Sequence, residues 1–465
     1  MKLNKLILEI CYILLTIILL ILLFYLTYKV YFSPYFGSTQ IYNFSIFIII
    51  FLLISLFILR KSNKKVQIYF FIVFFSSSIP IITFETYLEF NKKIFDSRLN
   101  NLIKKNIDFD TRSKKKVLFD LRKENKETYL NFLPIKTEYS GIKIGENFIY
   151  PIGGVSNITT FLDNENGYFP IIKTDKYGFN NLKHVNYNNL DIIILGDSFA
   201  EGQAVNQIEN LSSNLNKYGY KTISLGKSAN GPLTSYATLK EYVLDLKPKI
   251  VLWLFFEGND IILGEDDLGR EMESQHLLNY INDDEYTQNL IFRQREIDQA
   301  LKVYFKKIEN ENFFLLNILR LKNLRDQLNI NQALNSINNY KKIQNKDNDI
   351  DINAKKFEIF YQIFKKTKKY TSDKNIKLYF IFLPDIKNYN SEWKNNYKSE
   401  IISYINSLEI TIIDIEDIFN TKKNPLEFFP YKLFPHYNSR GYALISDAIS
   451  KQLEKDGYIS TKLKH

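Results

Sequence analysis

Asp191-Ile-Ile-Ile-Leu-Gly-Asp-Ser-Phe-Ala-Glu-Gly202 is the stretch that decides how this chain folds. The apolar run Ile192 to Leu195 has the length and composition of a buried strand. Gly196-Asp197-Ser198 follows, and the residues after it can open a helix. A serine therefore stands where a strand gives way to a helix N-terminus. Backbone N–H groups are unpaired there and carry partial positive charge. A hydroxyl at that place is sited to attack a carbonyl, with N–H donors beside it for the oxyanion. A Ser or Asp after a strand is also an ordinary helix cap, so the surrounding chain has to decide between the two.

Downstream, apolar strands alternate with helices. The pattern predicts a helix over 208–217, a strand over 221–225, a helix over 233–246 and a strand over 250–256. Later come a strand over 378–383, a helix over 400–407, a strand over 410–413 and a last helix over 439–454. Continuous apolar strands separated by helices imply a mostly parallel sheet covered on both faces, an α/β fold. Sites in such sheets lie beyond the carboxyl ends of the strands. Residues 261–374 interrupt the alternation and read as a helical insertion, with amphipathic helices over 288–308 and 313–334 and a mobile polar stretch over 345–353. Residues 150–181 read as a turn-rich approach to the first strand.

The polar clusters fall at the predicted strand ends. Ser198 offers a nucleophile, with Asp197 beside it. Gly226, ending the second strand, offers a backbone N–H. Gly258-Asn259-Asp260 offers a neutral side-chain amide suited to a developing oxyanion, Asp260 supporting it. Phe434-Pro-His436 opens the last helix with an imidazole that can take the serine proton. Of four histidines, His184, His276, His436 and His465, only His436 stands at such a junction. No pair of histidines or carboxylates has metal-ligand spacing, so neither metal nor cofactor is expected.

The first 85 residues have a different composition. Three apolar runs, 6–28, 41–59 and 66–84, each approach the ~20 residues that cross a bilayer. The first is longer than the ~7–15 residues of a signal-peptide core and lacks a small-x-small cleavage site. Lys2 and Lys5 precede the first run, and Arg60-Lys61-Ser62-Asn63-Lys64-Lys65 separates the second from the third, whereas 30–40 holds no Lys or Arg. Basic loops stay in the cytoplasm, which sets the N-terminus inside and everything after residue 84 outside. The expected location is a bacterial inner membrane, multi-pass, with the large domain periplasmic. Residues 86–149 read as a juxtamembrane stalk with a helix, and 150–460 as the sheet domain.

The sole cysteine, Cys11, lies in the first run, which excludes an intramolecular disulfide or a cysteine-held metal cluster. The net charge of +10 is spread among juxtamembrane and scattered lysines, without the clustered basic face of a nucleic-acid binder.

Together, Gly-Asp-Ser198, Gly226, Gly-Asn259-Asp and a C-terminal His436 resemble the SGNH hydrolase family, also called GDSL esterases and lipases. The resemblance covers about 175–454. It implies a three-layer α/β/α fold, Ser198 attacking an ester, and an oxyanion hole of Ser198, Gly226 and Asn259. Tyr150-Pro-Ile-Gly-Gly-Val-Ser-Asn157, Asn164-Glu-Asn-Gly-Tyr168, Asp175-Lys-Tyr-Gly-Phe-Asn-Asn181 and Glu257-Gly-Asn-Asp260 resemble signatures of a membrane-anchored bacterial branch associated with surface polysaccharides. The chain departs from the family at one place. The aspartate three residues before the histidine, which orients it, is Leu433 here. A backbone carbonyl, or Asp414, Glu416 or Asp417 from the end of the preceding strand, is left to serve. The expected activity is hydrolysis of an acyl ester on a surface glycan or lipid, with polysaccharide-assembly proteins as partners. The alternatives are an O-acyltransferase acting on surface polysaccharide and a non-catalytic protein that retains the fold.

Overall fold

The computed structural model describes residues 2–32, 39–90, 102, 104, 107–124, 127–134, 141–144, 147–183, 185–261, 266–310, 321–328, 346–391 and 396–458. The chain divides into two compact units. One holds Met1–Lys93 with Glu311–Gln344, and the other holds Ile94–Asn310 with Asn345–His465.

The first unit is helical. Helices α1 (Lys2–Phe32), α2 (Thr39–Leu59) and α3 (Lys64–Phe90) carry it. Leu6–Tyr28 and Lys64–Leu88 are long and apolar enough to cross a membrane, while Ile46–Leu59 is a shorter apolar stretch. Pro80 sits inside α3, where Ser76 and Ser77 donate to backbone carbonyls of the same helix. Arg60 pairs with Glu9 at 2.5 Å, joining the ends of α1 and α2. Glu85, fully buried on α3, accepts from the backbone N–H groups of Asn323 and Leu324, each at 2.8 Å. The insertion thus sends a short segment back to this unit.

The second unit is built on a five-stranded sheet. Strands β1 (Ile142–Ile144) with β2 (Asn147–Ile149), and β3 (Thr159–Phe161) with β4 (Ile171–Lys173), form two antiparallel hairpins ahead of it. The main sheet comprises β5 (Ile192–Leu195), β6 (Thr222–Ser224), β7 (Ile250–Phe256), β8 (Lys377–Leu383) and β9 (Thr411–Asp414), in the order β6-β5-β7-β8-β9. Every pairing in it is parallel.

Residues alternate between the two faces. Ile192, Ile194, Leu252, Leu254, Tyr379 and Ile381 pack into a core with Leu211, Tyr442, Ile445, Ile449 and Leu453. The last five lie on the helices Leu211–Lys217 and Ser439–Lys455. Trp253, Phe255 and Phe380 point the other way, packing tilted or edge-on against Phe360 and Phe364 at ring separations of 4.8–5.7 Å. Burial on both faces explains why the strands read as unbroken apolar runs. The result is a three-layer α/β/α domain.

Phe360 and Phe364 belong to the helix Lys346–Asp373, which corrects the expected extent of the insertion. That helix starts where a mobile stretch is expected, and its later half is one layer of the fold. Its apolar face is confined to a short run, Phe357 to Phe364, between paired lysines and after a polar stretch, so the sequence hides it. The helix expected over 288–308 is Gln294–Asn310. Most of 313–334 lies outside the described residues.

Candidate active site

Strand β5 ends in Gly196, whose φ is +143°. A Cβ there would lie 3.0 Å from the Leu254 carbonyl oxygen on the neighbouring strand, so the chain can turn this close to the sheet only with glycine. Asp197 then caps a four-residue helix, Ser198–Glu201, its Oδ1 accepting the Phe199 N–H at 2.9 Å. The Ser198 side chain emerges at the carboxyl end of the sheet, where α/β folds place their sites.

His436 comes from 238 residues further on, just before the Asn438 cap of the last helix. Its Nε2 lies 2.8 Å from Ser198 Oγ. Its ring rests against Phe199 at 4.9 Å, and the adjacent Tyr437 is buried with its hydroxyl donating to the Pro384 carbonyl at 2.8 Å. These contacts fix the direction of the imidazole.

The group that holds the other nitrogen is Glu165. Its Oε1 lies 2.8 Å from His436 Nδ1, and its Oε2 accepts the His436 backbone N–H at 3.4 Å. This corrects the expectation that a backbone carbonyl or an acid at the end of β9 serves. Asp414 and Glu416 instead bind Lys398.

Glu165 sits in the turn of the β3–β4 hairpin, which is pinned on both sides of it. Asn164 Nδ2 donates to the Asp110 carbonyl at 2.9 Å, Asn166 Nδ2 to the Ala204 carbonyl at 2.5 Å, and the Gly167 carbonyl accepts the Asp110 N–H at 2.7 Å. Gly167 has φ +88°, and a Cβ there would meet the Tyr431 hydroxyl. The Asn-Glu-Asn-Gly run thus presents one carboxylate rigidly.

Burial alone would lower the affinity of His436 for a proton. The charge and hydrogen bond of Glu165, with a smaller contribution from Asp197, outweigh it and hold the imidazole above its ordinary range. Asp197 is raised by burial, against the Phe199 N–H and the His436 charge. Asp260 is raised further, by burial and by Asp197.

Ser198, His436 and Asn259 open on a cleft of about 340 Å³. Leu130, Leu133, Phe161 and Leu162 give it an apolar wall, and Lys114, Asp163 and Arg270 give it charge. Asn259 Nδ2 lies 3.5 Å from Asp197 Oδ2, and Asp260 Oδ2 accepts the Phe256 N–H at 2.9 Å, tying the turn down.

Gly226 does not reach the cleft. It is buried under the Ser198 helix, where a Cβ would lie 2.3 Å from Ala200 Cβ, and its N–H donates to Ser224 Oγ at 3.2 Å. The residues of that loop that line the cleft are Ser228 and Ala229, the latter held at φ +65°. The loop is anchored by a buried ion pair: Lys227 Nζ lies 2.6 Å from Glu201 Oε1 and 2.7 Å from Asn131 Oδ1. The Ser228 N–H also donates to Glu201, at 2.9 Å.

Asp197, Asp260 and Asp267 each bring an oxygen within 4.8 Å of the others, and among the described residues this trio has a spacing that could hold a metal ion. Arg270 already pairs with Asp267. His276 lies beside the Tyr286 hydroxyl at 3.5 Å, away from the cleft, and His184 and His465 fall outside the described residues.

No family model matches the chain, and no curated protein is similar to it. Solved structures are similar to part of the chain. A Desulfitobacterium hafniense protein assigned to the G-D-S-L lipolytic family shares 13% identity at TM-score 0.30, over 57% of this chain and 99% of that one. A lipase/acylhydrolase from Enterococcus faecalis shares 13% at TM-score 0.29, over 57% and 96%. The acetyl xylan esterase AlAXEase shares 11% at TM-score 0.30, over 57% and 100%.

Proposed function

We propose that this chain is a membrane-anchored serine esterase that removes a short acyl group from a hydroxylated carrier, such as a surface glycan. The observation that carries the reading is the unbroken chain Ser198 Oγ, His436, Glu165, with both links at 2.8 Å and its serine end in an open cleft.

Ser198 attacks the ester carbonyl as His436 Nε2 takes its proton. Glu165 keeps the Nδ1 proton in place and stabilises the imidazolium that forms, the part a buried carboxylate plays in a serine triad. In this reading the oxyanion is met by the Ser198 N–H, the Ala229 N–H and Asn259 Nδ2, all three residues lining the cleft. His436 returns its proton to the leaving alcohol, leaving an acyl-Ser198. Water, deprotonated by the same histidine, then attacks the acyl carbon; the acyl–Oγ bond breaks, His436 returns the proton to Ser198 Oγ, and the acid leaves. The cleft volume is at the low end of the ~300–1,000 Å³ of small-molecule sites, which suits a short acyl group over a long chain. Its apolar wall suits the acyl methyl or methylenes, and its charged rim a hydroxylated alcohol.

Purified full-length protein in detergent should hydrolyse short aryl esters, and Ser198→Ala should lower kcat by about 10⁴-fold or more while the thermal transition stays in place. Equal, background-level turnover by both proteins would end the esterase reading.

A further inference from the structure

The helix Asp267–Glu271, only five residues long, touches both loops that face the nucleophile. At one end, the Asp267 N–H donates to the Asn259 carbonyl at 2.8 Å and the Leu268 N–H to the Asp260 carbonyl at 3.3 Å. At the other, the buried Glu271 carboxylate accepts the N–H groups of Gly231 at 2.6 Å, Leu233 at 2.8 Å and Thr234 at 3.1 Å. Gly231 is two residues beyond Ala229. The helix is in turn held by the fold's outer layer. Lys356 of the helix Lys346–Asp373 reaches Asp266 Oδ2 at 2.8 Å, both side chains being buried.

Two glycines make these approaches possible. A Cβ on Gly231 would lie 2.6 Å from Glu271 Oε2 and 2.9 Å from Asp267 Cβ. A Cβ on Gly269 would lie 2.8 Å from Asp266 Oδ1 and from Lys356 Cε. Neither glycine has a positive φ, so close packing, not backbone freedom, is what glycine supplies here.

We infer that this helix is a clamp that sets the spacing between the Ala229 N–H and the Asn259 amide, with Glu271 and Lys356 as positioning residues that never touch substrate. The inference rests on the esterase reading. A donor pair stabilises an oxyanion only if both reach the same point within hydrogen-bond distance, and small displacements are costly. Glu271 holds one donor loop, the Asp267 and Leu268 N–H groups hold the other, and Lys356 ties the assembly to the sheet. The part of the insertion that flanks the sheet thereby serves the site.

The test uses the full chain in detergent, with Glu271→Gln, Gly231→Ala and Lys356→Met. Active sites are titrated with a fluorophosphonate, so that kcat is counted per reactive serine and a misfolded fraction drops out. Hydrogen exchange is followed over 226–234 and 257–262. The expected result is kcat lower by about 10²-fold, in the range known for displaced catalytic geometry. KM should stay within about twofold, because only transition-state contacts are lost. Both loops should lose exchange protection together. An unchanged kcat in active Glu271→Gln and Gly231→Ala would overturn the clamp and leave the esterase reading standing. Loss of protection in one loop alone would also overturn it. Wild type without turnover, but with both loops loosened in the variants, would sink the esterase reading and support the mechanical link.

Discussion

Glu165 decides how His436 behaves with pH. The imidazole is a base only when neutral, and the carboxylate holds it protonated above its ordinary range. The rate kcat/KM should therefore climb with pH through a midpoint above the ~6.5 of a free histidine. Glu165→Gln removes the charge and keeps the shape. It should move that midpoint down while lowering kcat by about 10²–10⁴-fold, since the orienting group also fixes the tautomer. A pH profile of the two proteins checks both signs; an unchanged midpoint would take Glu165 out of the site. At this scale Ser198 and Asn259 were legible because each stands where a strand ends, and His436 because it stands at the opening of the last helix. Glu165 was not, because it lies 271 residues from the histidine it orients, in the turn of a hairpin outside the main sheet. Ala229 was hidden for another reason. Its left-handed backbone is the kind glycine usually marks, and here an alanine occupies it. Ala229→Gly should leave the thermal transition equal or higher and the activity intact, because the N–H is retained.

At the scale of elements, the parallel sheet was readable from its unbroken apolar strands, and their bounds fell close to expectation. The helix Lys346–Asp373 was misread because its buried contacts rest on a short run, Ile359 to Phe364, flanked by lysines at 355–356 and 365–366. Phe364 is fully buried against Trp253 and Phe380. Phe364→Ala should lower stability by about 3–5 kcal/mol, read by chemical denaturation. A surface role for the helix would give almost no change. The Lys227–Glu201 pair makes a second element-level prediction. Both side chains are shut off from water, so Lys227→Met leaves a carboxylate buried without its partner. The expected loss is about 3–5 kcal/mol. Charge-neutral replacement of the pair together should recover much of it.

On the scale of the whole molecule, the claim is that a catalytic domain is carried by a membrane-spanning unit. Two helices have the length and apolarity for it; the proposed orientation takes α2 as a third crossing, with the basic residues between α2 and α3 kept inside. The chain should stay in the membrane pellet after an alkaline carbonate wash, and a reporter active only outside the cytoplasm should be active when fused after Glu454. An inactive reporter would reverse the orientation. The most direct test of the central claim is to label the native full-length protein with a fluorophosphonate and map the adduct by mass spectrometry. The account predicts one adduct, on Ser198, slowed strongly by His436→Ala and by Glu165→Gln. An adduct elsewhere, or labelling of Ser198 at a rate that neither substitution changes, would contradict it.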